Sequence, residues 1–384
     1  MKHLYWILPI ALPLLLLAAC VRATVPEKFP VIEIVGVPAH GDSLVIIGAG
    51  FGEKAQAAPL KWDDFQAGNN GDIVSQAEPY PWGVDISSDD GVTPPDSVAY
   101  LDNDDYNRFP GDQCSHQVFG NRGNGVTHIW TNTMSVDYIE IGVGQQIYVS
   151  AYGLLNMAGE LARNAKMWFL ASPGNQWGEP SSRLDFYPND SSGHSYYTQC
   201  DESIQDDGNI YGYDNDFMGI NSGEFHRYEF IHITGDAGAA NGYQASYVDL
   251  VAPDVADNQT VHECDPYWTL NIMSYWDWSD GPSQPFGTAD VYFSEIYVDI
   301  TLQRVEIGDA STWDACTHRE IQIPYSWKDT EIKIVMNFGT FASDADLWLF
   351  VVGADGSVTE GKEIVGEEEA GSGRGHENIF DIGD

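Results

Sequence analysis

The chain of 384 residues carries 58 acidic and 17 basic residues, for a formal net charge of −41 at neutral pH. A chain this acidic repels the phosphate backbone of nucleic acids and anionic lipid surfaces, which excludes nucleic acid as a partner. It also disfavours an anionic polysaccharide as substrate unless a local basic cleft or bound cations intervene. The acidic residues are spread along the chain, a pattern that indicates surface solubility and a saline habitat.

The first 20 residues are typical of an export signal. Lys2 provides a positive start, the run from Leu4 to Leu17 is apolar, and Leu-Ala-Ala-Cys follows. The run is too short to span a bilayer as a settled helix. A cysteine directly after Leu-Ala-Ala resembles the bacterial lipobox, in which the signal is cut before the cysteine and the thiol is acylated. An ordinary secretory signal with an incidental cysteine is the alternative.

The lipobox resemblance implies that residues 1–19 are a lipoprotein signal peptide and that Cys20 carries a lipid such as palmitate. The lipid would anchor the chain to a membrane without a transmembrane helix. The implied location is the outer membrane or cell surface of a bacterium, with residues 20–30 as a tether.

Residues 31–54 begin a small β-sandwich. The segment Val31–Val37 is rich in β-branched residues, and an apolar run follows at Leu44–Ile47, so that each predicts a strand. Glycines then alternate around Phe51, which predicts a tight corner closed by a buried aromatic side chain. The whole stretch, PVIEIVGVPAHGDSLVIIGAGFG, resembles the opening of an IPT/TIG domain, which has an immunoglobulin-like fold.

The later part of such a domain lies near the other end of the chain. Residues 319–365 contain SWKDTEIKI, a turn followed by an alternating strand, and then the strand LWLFVV. We therefore predict that residues 31–54 and 319–365 form one IPT/TIG-like domain into which residues 55–318 are inserted. The acidic, glycine-rich tail 366–384 is predicted to be disordered. Two unrelated β-units flanking a central domain are the alternative.

Residues 55–318 alternate short strands with loops rich in Gly, Asp, Asn and Ser, which predicts a single all-β sandwich. The predicted strands are 147–152, 166–170, 227–234, 244–251, 268–276, 291–301 and 304–307, and one short helix is predicted at 154–163. The segments WDDFQAG, KMWFL, HRYEFIHI, NGYQASYVD and EIYVDIT resemble a concanavalin A-like lectin or glucanase domain. The predicted fold class is all-β, with a concanavalin A-like jelly roll inserted into an immunoglobulin-like sandwich; another Greek-key sandwich is the alternative.

Four cysteines remain after Cys20, and an even number in an exported chain predicts two disulfides with three possible pairings. They are Cys114, Cys200, Cys264 and Cys316. Two loops rich in hard oxygen donors are candidate structural Ca²⁺ sites, and solvated acidic loops are the alternative. Their candidate ligands are Asp102, Asp104, Asp105 and Asn107 in the first loop, and Asp214 and Asp216 in the second.

Glycoside hydrolases need two facing carboxylates, and Glu295 and Asp299 are too far apart on one strand, at about 13 Å. Polysaccharide lyases of similar fold use Tyr or His as base and acid, with Arg, Lys or Gln neutralising a uronate. In GEFHRYEF, His226 and Tyr228 share one strand face and Arg227 lies on the other, so these three are candidate catalytic residues. Ordinary sheet residues are the alternative.

Trp276 and Trp278 share a face at the end of an aromatic strand and form a candidate sugar-stacking platform, unless they fill the core. With no carboxylate pair or nucleophile motif, the sequence predicts a non-catalytic, lipid-anchored surface protein that binds a glycan or another extracellular partner. The alternatives are a polysaccharide lyase or glycoside hydrolase with a dispersed site, and a structural or adhesive surface protein.

Palmitate labelling of the chain expressed in a bacterium should disappear in Cys20→Ala, because the Cys20 thiol is the predicted acyl acceptor. Labelling is measured after metabolic incorporation of an alkyne-tagged palmitate. The matched variant Cys316→Ala should keep the label. Labelling that persists in Cys20→Ala would show that the lipobox prediction is wrong.

Overall fold

The computed structural model of the chain describes residues 31–36, 38–74, 82–88, 98–121, 129–140, 144–157, 165–171, 181–186, 195–196, 218–219, 223–234, 242–259, 267–275 and 287–364. The regular elements in these ranges are β-strands, together with a short 3-10 helix at Trp313–Ala315. The predicted all-β class is therefore confirmed. Within the same ranges there is no helix with the length and apolar character needed to cross a membrane.

The strands in chain order are β1 (Val31–Val35), β2 (Ser43–Gly48), β3 (Lys61–Asp63), β4 (Gly83–Ser88), β5 (Ala99–Leu101), β6 (Cys114–Asn121), β7 (Ile129–Glu140), β8 (Gln146–Met157), β9 (Ala165–Ala171), β10 (Ser181–Phe186) and β11 (Ser195–Tyr196). They continue with β12 (Met218–Gly219), β13 (Phe225–Ile233), β14 (Gly242–Val248), β15 (Val251–Gln259), β16 (Tyr267–Tyr275), β17 (Gly287–Asp299), β18 (Arg304–Gly308), β19 (Arg319–Lys328), β20 (Glu331–Val335), β21 (Leu347–Val352) and β22 (Lys362–Ile364).

The first two strands and the last five form one antiparallel sheet, in the order β1-β2-β20-β19-β18-β21-β22. Strand β2 pairs with β20, and Ile46 lies opposite Ile332 although 286 positions separate them in the sequence. The predicted fold class, a larger β-domain inserted into a smaller one, is confirmed. We call this seven-stranded unit the smaller domain and β3 to β17 the larger domain. The IPT/TIG identity of the smaller domain stays a prediction.

The glycine-rich corner after β2 has the conformation that its sequence predicts. Gly50 and Gly52 have φ angles of +77° and +72°, which favour glycine. Phe51 between them is 1% exposed and lies in the core of the smaller domain. Its backbone N–H donates to the carbonyl of Asp329 at 3.0 Å, so the corner is joined directly to the β19–β20 turn.

Two sequence predictions about the inserted segment are corrected. Strand β18 (Arg304–Gly308) was assigned to the inserted domain, but it lies between β19 and β21 of the smaller domain, so the inserted segment ends before Arg304. The helix predicted at 154–163 is wrong over its first turn, because β8 continues as a strand to Met157. Both faces of β8 are buried, which removes the polar–apolar alternation that marks a half-exposed strand.

The larger domain is a sandwich of two layers. The sheet folds back on itself between β6 and β7, which are joined by only two residue pairs. Strands β4, β7, β16, β9 and β10 form the first layer, and β5, β6, β17, β8, β13, β14 and β15 form the second. Trp168 of the first layer packs on Phe293 of the second, with ring centroids 6.3 Å apart. Both side chains are fully buried, so the core lies between the layers.

The smaller domain packs on the other face of the second layer, over only part of that face. An apolar cluster lies at this junction. It contains three aromatic side chains of the larger domain, one aliphatic side chain of the segment between the domains, and three aliphatic side chains of the smaller domain. Its fully or nearly fully buried members are Trp62, Tyr148, Tyr297, Leu302, Ile321, Ile323 and Val335. The part of the face that stays uncovered carries the candidate site described below.

A buried carboxylate, Glu306 of β18, joins the two domains. It pairs with Arg227 of the larger domain at 2.9 Å and with Arg304 and Arg319 of the smaller domain at 2.6 and 3.3 Å. Burial alone would raise the pKa of Glu306, but the three guanidinium groups hold it well below its usual range. Glu306 is therefore ionised at every pH at which the chain is folded and its partners are in place.

Cys114 and Cys316 are both buried free thiols. Neither of these two cysteines forms a disulfide, so the disulfide prediction is wrong for both of them. Cys200 and Cys264 lie outside the described residues. Cys114 packs against Leu154 and Tyr292 and therefore acts as a small apolar core residue.

Replacing Glu306 by glutamine should destabilise the fold by about 3–5 kcal/mol, because three buried arginines lose the charge that compensates them. The measurement is urea unfolding at pH 7. Glu331→Gln is the matched control, since Glu331 makes only a partly exposed pair with Lys333 at 3.7 Å and should cost less than about 1 kcal/mol. Equal losses in the two variants would contradict a special role for Glu306.

The contribution of Glu306 to the free energy of unfolding should also decrease as the pH is lowered. Its folded pKa is depressed, so its stabilisation is fully present above the ordinary glutamate pKa and is lost as the pH falls towards the folded value. The stability difference between wild type and Glu306→Gln should therefore shrink steadily as the pH is lowered below about 4.5. A difference that grows on acidification would contradict this assignment.

Candidate active site

The uncovered face of the second layer is lined by four neighbouring strands, β6, β17, β8 and β13. Tyr292 of β17 lies directly opposite His116 of β6 on one side and Leu154 of β8 on the other. Leu154 in turn lies opposite Phe225 of β13. Directly opposite residues of paired strands share a face, so these four side chains lie in one row across the sheet.

Tyr292 is held between two parallel rings. The His116 ring stacks on it with centroids 4.7 Å apart and planes 6° apart. Tyr106, from the loop after β5, stacks against Tyr292 at 4.4 Å and also at 6°. Rings packed this closely cannot change rotamer independently, so the stack fixes the orientation of both the imidazole and the phenol.

His116 has a carboxylate partner. Its Nε2 lies 2.8 Å from Oδ1 of Asp290, which is two residues before Tyr292 on the same strand face. An ionised carboxylate only accepts hydrogen bonds, so Nε2 carries the proton and Nδ1 of a neutral His116 is left with a lone pair. The side chains of His116 and Asp290 are 27% and 30% exposed, which leaves them accessible to a polymer in the groove.

Tyr292 keeps its phenolic proton at neutral pH. Burial raises the pKa of its phenol above the ordinary value, and the nearby Asp290 carboxylate raises it further. The phenol is therefore protonated at neutral pH. Cys114, two residues before His116 on the same strand face, offers no competing nucleophile, because burial raises the pKa of its thiol to about 12.

A cavity of about 550 Å³ adjoins this row at the edge of the smaller domain. We call it the junction cavity. Seven of its lining residues come from the larger domain and four from the last strands and loops of the smaller domain. They are Asn107, Arg108, Tyr152, Phe225, Arg227, Asp249 and Leu250, and Thr317, His318, Arg319 and Thr340.

The structure separates the catalytic candidates that the sequence placed together. Tyr228 is fully buried in the core between the two layers, where a polysaccharide cannot reach it. His226 pairs with Asp249 at 2.6 Å near the rim of the junction cavity. Arg227 points the other way, as predicted, and is part of the buried ionic network. The prediction of these three residues as one catalytic group is therefore corrected.

The carboxylates considered for glycoside hydrolysis also have structural roles. Glu295 pairs with Arg108 at 2.6 Å, and burial raises its pKa to about 7. Asp299 forms a buried pair with Lys54 at 2.6 Å. Both pairs lie at the contact between the domains, which agrees with their rejection as a hydrolytic pair.

The calcium prediction remains untested for both loops. In the first loop, Asp104 accepts from the backbone N–H of Gly111, and Asn107 donates to the carbonyl of Asp112. Across the described part of the chain, no group of three His, Cys, Asp or Glu side chains is arranged to hold a metal ion. In the second loop, Asp214 and Asp216 lie outside the described residues. The predicted stacking residues Trp276 and Trp278 lie outside them as well.

Sequence reasoning missed His116, Asp290 and Tyr292. The strand CSHQVFGN has polar side chains on both faces, with Ser115 and Gln117 directed to the buried side, so its alternation is weak. Tyr292 lay in a predicted strand, but its neighbour His116 is 176 positions away. The sequence did contain one usable signal, because His116 and Tyr292 each lie on the face of a strand that points away from the core. Only the register in which β6 pairs with β17 brings the two side chains together.

No family model and no curated protein matches the chain. Among solved structures, an endo-β-1,4-glucuronan lyase from the fungus Trichoderma reesei matches with a TM-score of 0.39 and 14% identity over 63% of this chain and 96% of that one. Alginate lyase vAL-1 from Chlorella virus matches at 0.38 and 12%, over 57% and 93%. Alginate lyase Aly36B matches at 0.37 and 13%, over 48% and 80%.

The prediction of a non-catalytic binding protein is contradicted by these findings, since the three structures named above are polysaccharide lyases. At TM-scores below 0.5 they assign no chemistry to individual residues of this chain. That assignment depends on the side chains of the groove.

Proposed function

We propose that the chain is a polysaccharide lyase that cleaves a uronate-containing polysaccharide by β-elimination. The observation that carries the proposal is the fixed stack of His116 on Tyr292, with Asp290 bound to His116. His116 and Asp290 are partly exposed, while Tyr292 is 4% exposed in a cluster against which Tyr106 and Phe225 pack. One member of the stack presents a basic lone pair and its neighbour a phenolic proton. β-Elimination needs one base and one acid close together, and no nucleophile.

The reaction assigns one proton transfer to each ring. His116 Nδ1 takes the proton from C5 of the uronate, next to the carboxylate. The electron pair of that C–H bond forms the C4–C5 double bond while the bond from C4 to the glycosidic oxygen breaks. The leaving oxygen takes the proton of Tyr292. Asp290 stabilises the imidazolium that forms, because its carboxylate is already bound to the other ring nitrogen.

The carboxyl group next to C5 must be stabilised as charge develops on it. Asn156 lies opposite Asp290 on β8, and its side chain is exposed on the same face. Its amide N–H groups are the candidate donors to this carboxylate. An amide supports the developing charge without requiring a further buried cation.

The predicted lipid anchor at Cys20 is part of the same proposal. A lyase acting on a polymer too large to enter the cell must work outside the cytoplasm, and an acylated surface protein meets that need. The Cys20→Ala labelling experiment tests the location separately from the chemistry.

His116→Ala and Tyr292→Phe should each lower kcat by about 10²–10⁴-fold, as expected for loss of a general base or acid. Activity is followed by the absorbance of the unsaturated uronate on alginate, glucuronan and other uronate polysaccharides, with a neutral glucan as the negative substrate. His116→Ala should unfold within about 1 kcal/mol of wild type, because the His116 side chain is 27% exposed. Tyr292 is 4% exposed, so Tyr292→Phe, which removes only the hydroxyl, should cost no more than about 1.5 kcal/mol.

Two further variants separate this site from the one predicted by sequence alone. Tyr325→Phe, a tyrosine at the junction cluster, is the matched control and should keep wild-type kcat. His226→Ala should keep most of the activity as well. Loss of turnover in His226→Ala together with full activity in His116→Ala would overturn the assignment, and absence of elimination products on every uronate polymer would overturn the function.

A further inference from the structure

The junction cavity lies beside the His116–Tyr292 stack. Phe225 lines the cavity and also packs against Leu154 and Tyr292. On the other side, Tyr106 covers Tyr292, and the next two residues of that loop, Asn107 and Arg108, line the cavity. A polymer held at the stack therefore has the cavity beside it.

The cavity has the size of a ligand site. Its volume of about 550 Å³ lies within the range of about 300–1,000 Å³ that is usual for small-molecule pockets. It also contains an unsatisfied polar group. Asn107 is 9% exposed, and its Oδ1 is buried without a hydrogen-bond partner. A buried acceptor of this kind is costly unless a donor fills it, and a sugar hydroxyl is such a donor.

Arginine side chains line the cavity in a strongly acidic chain. Three of the chain's 17 basic residues line it, Arg108, Arg227 and Arg319. The four glutamates that pair with these arginines do not line it; they are Glu229, Glu295, Glu306 and Glu320. The carboxylate that does reach the wall is Asp249, which pairs with His226.

The arginine and histidine donors at the cavity are held rigidly. The guanidinium of Arg108 lies 3.2 Å from the ring centroid of Tyr152 and is fixed by two carboxylates. His318 of the smaller domain, whose side chain is 31% exposed, pairs with Glu320 at 2.6 Å. Donors that are already in place lose little entropy when an anionic group binds.

We propose that the junction cavity binds an acidic sugar residue of the polysaccharide adjacent to the cleavage site, so that the smaller domain determines which polysaccharide the larger domain cleaves. This inference rests on the proposed lyase function. The cavity's arginines supply the local basic cleft that an acidic chain needs in order to hold a uronate. Asn107 accepts from a hydroxyl of the same sugar.

The test fills the cavity from the smaller domain. Thr340 is exposed in the turn after β20, and Thr340→Phe directs a bulky apolar side chain into the cavity. Thr330→Phe is the matched control, because Thr330 is an exposed turn residue of the same domain away from the cavity. Thermal unfolding should show both variants folded. His318→Ala provides a second variant that removes a donor without filling the space.

The first readout is calorimetric binding of a saturated diuronate to the full chain. Thr340→Phe and His318→Ala should weaken binding by about tenfold or more, and Thr330→Phe should not. A carboxyl-reduced, neutral disaccharide should bind wild type about tenfold more weakly than the diuronate. Equal binding of the charged and neutral disaccharides, or unchanged binding in Thr340→Phe, would overturn the inference.

The second readout separates this inference from the function on which it rests. With an active lyase, Thr340→Phe should raise KM about tenfold or more while the pH profile of kcat stays that of wild type. An unchanged KM would overturn the cavity assignment and leave the lyase in place. Loss of diuronate binding in Thr340→Phe, in a chain that cleaves no uronate polymer, would support the cavity and overturn the lyase.

Discussion

The structure depends on one buried carboxylate that three arginines share. Glu306 lies in the middle of the smaller domain's sheet, fully removed from water, and Arg227 reaches it from the larger domain. Each of these charges would be prohibitively costly to bury alone, so none can move away without leaving the others uncompensated. The two domains are therefore fixed in one relative position, and apolar packing around Tyr148 and Tyr297 surrounds the charges.

This fixed position decides which part of the larger sheet is available for chemistry. The smaller domain covers the second layer where β8 carries Tyr148. Further along the same strand Leu154 packs with Phe225 of the larger domain and Asn156 is exposed. The His116–Tyr292 stack lies in this second part and the junction cavity beside it. Residues of the inserted domain and of its host thus line one cavity, and the proposed reacting groups belong to the insert.

The acidity of the chain and its proposed substrate are reconciled by where the charges lie. Most of the 58 carboxylates are spread over the sequence, while three of the 17 basic residues line one cavity and have their counter-charges behind them. The net charge on its own disfavoured a uronate polymer. The proposed site would hold a uronate through guanidinium donors at one place, because a bound anion interacts most strongly with nearby groups and much less with screened, distant ones.

The sequence by itself determined many of the strands, the all-β class and the insertion, because these follow from local alternation, turn residues and a glycine corner around Phe51 that depend on near neighbours in the chain. It did not predict β6, which has polar side chains on both faces. It misplaced β18 and part of β8, whose buried faces lack polar alternation. Only the tertiary structure decided the candidate site. The pairing of β6 with β17 places His116 against Tyr292, and the same folding buries Tyr228 in the core. Such contacts join residues far apart in the chain, so strand register and the packing of one domain on the other create them, and no local pattern encodes them.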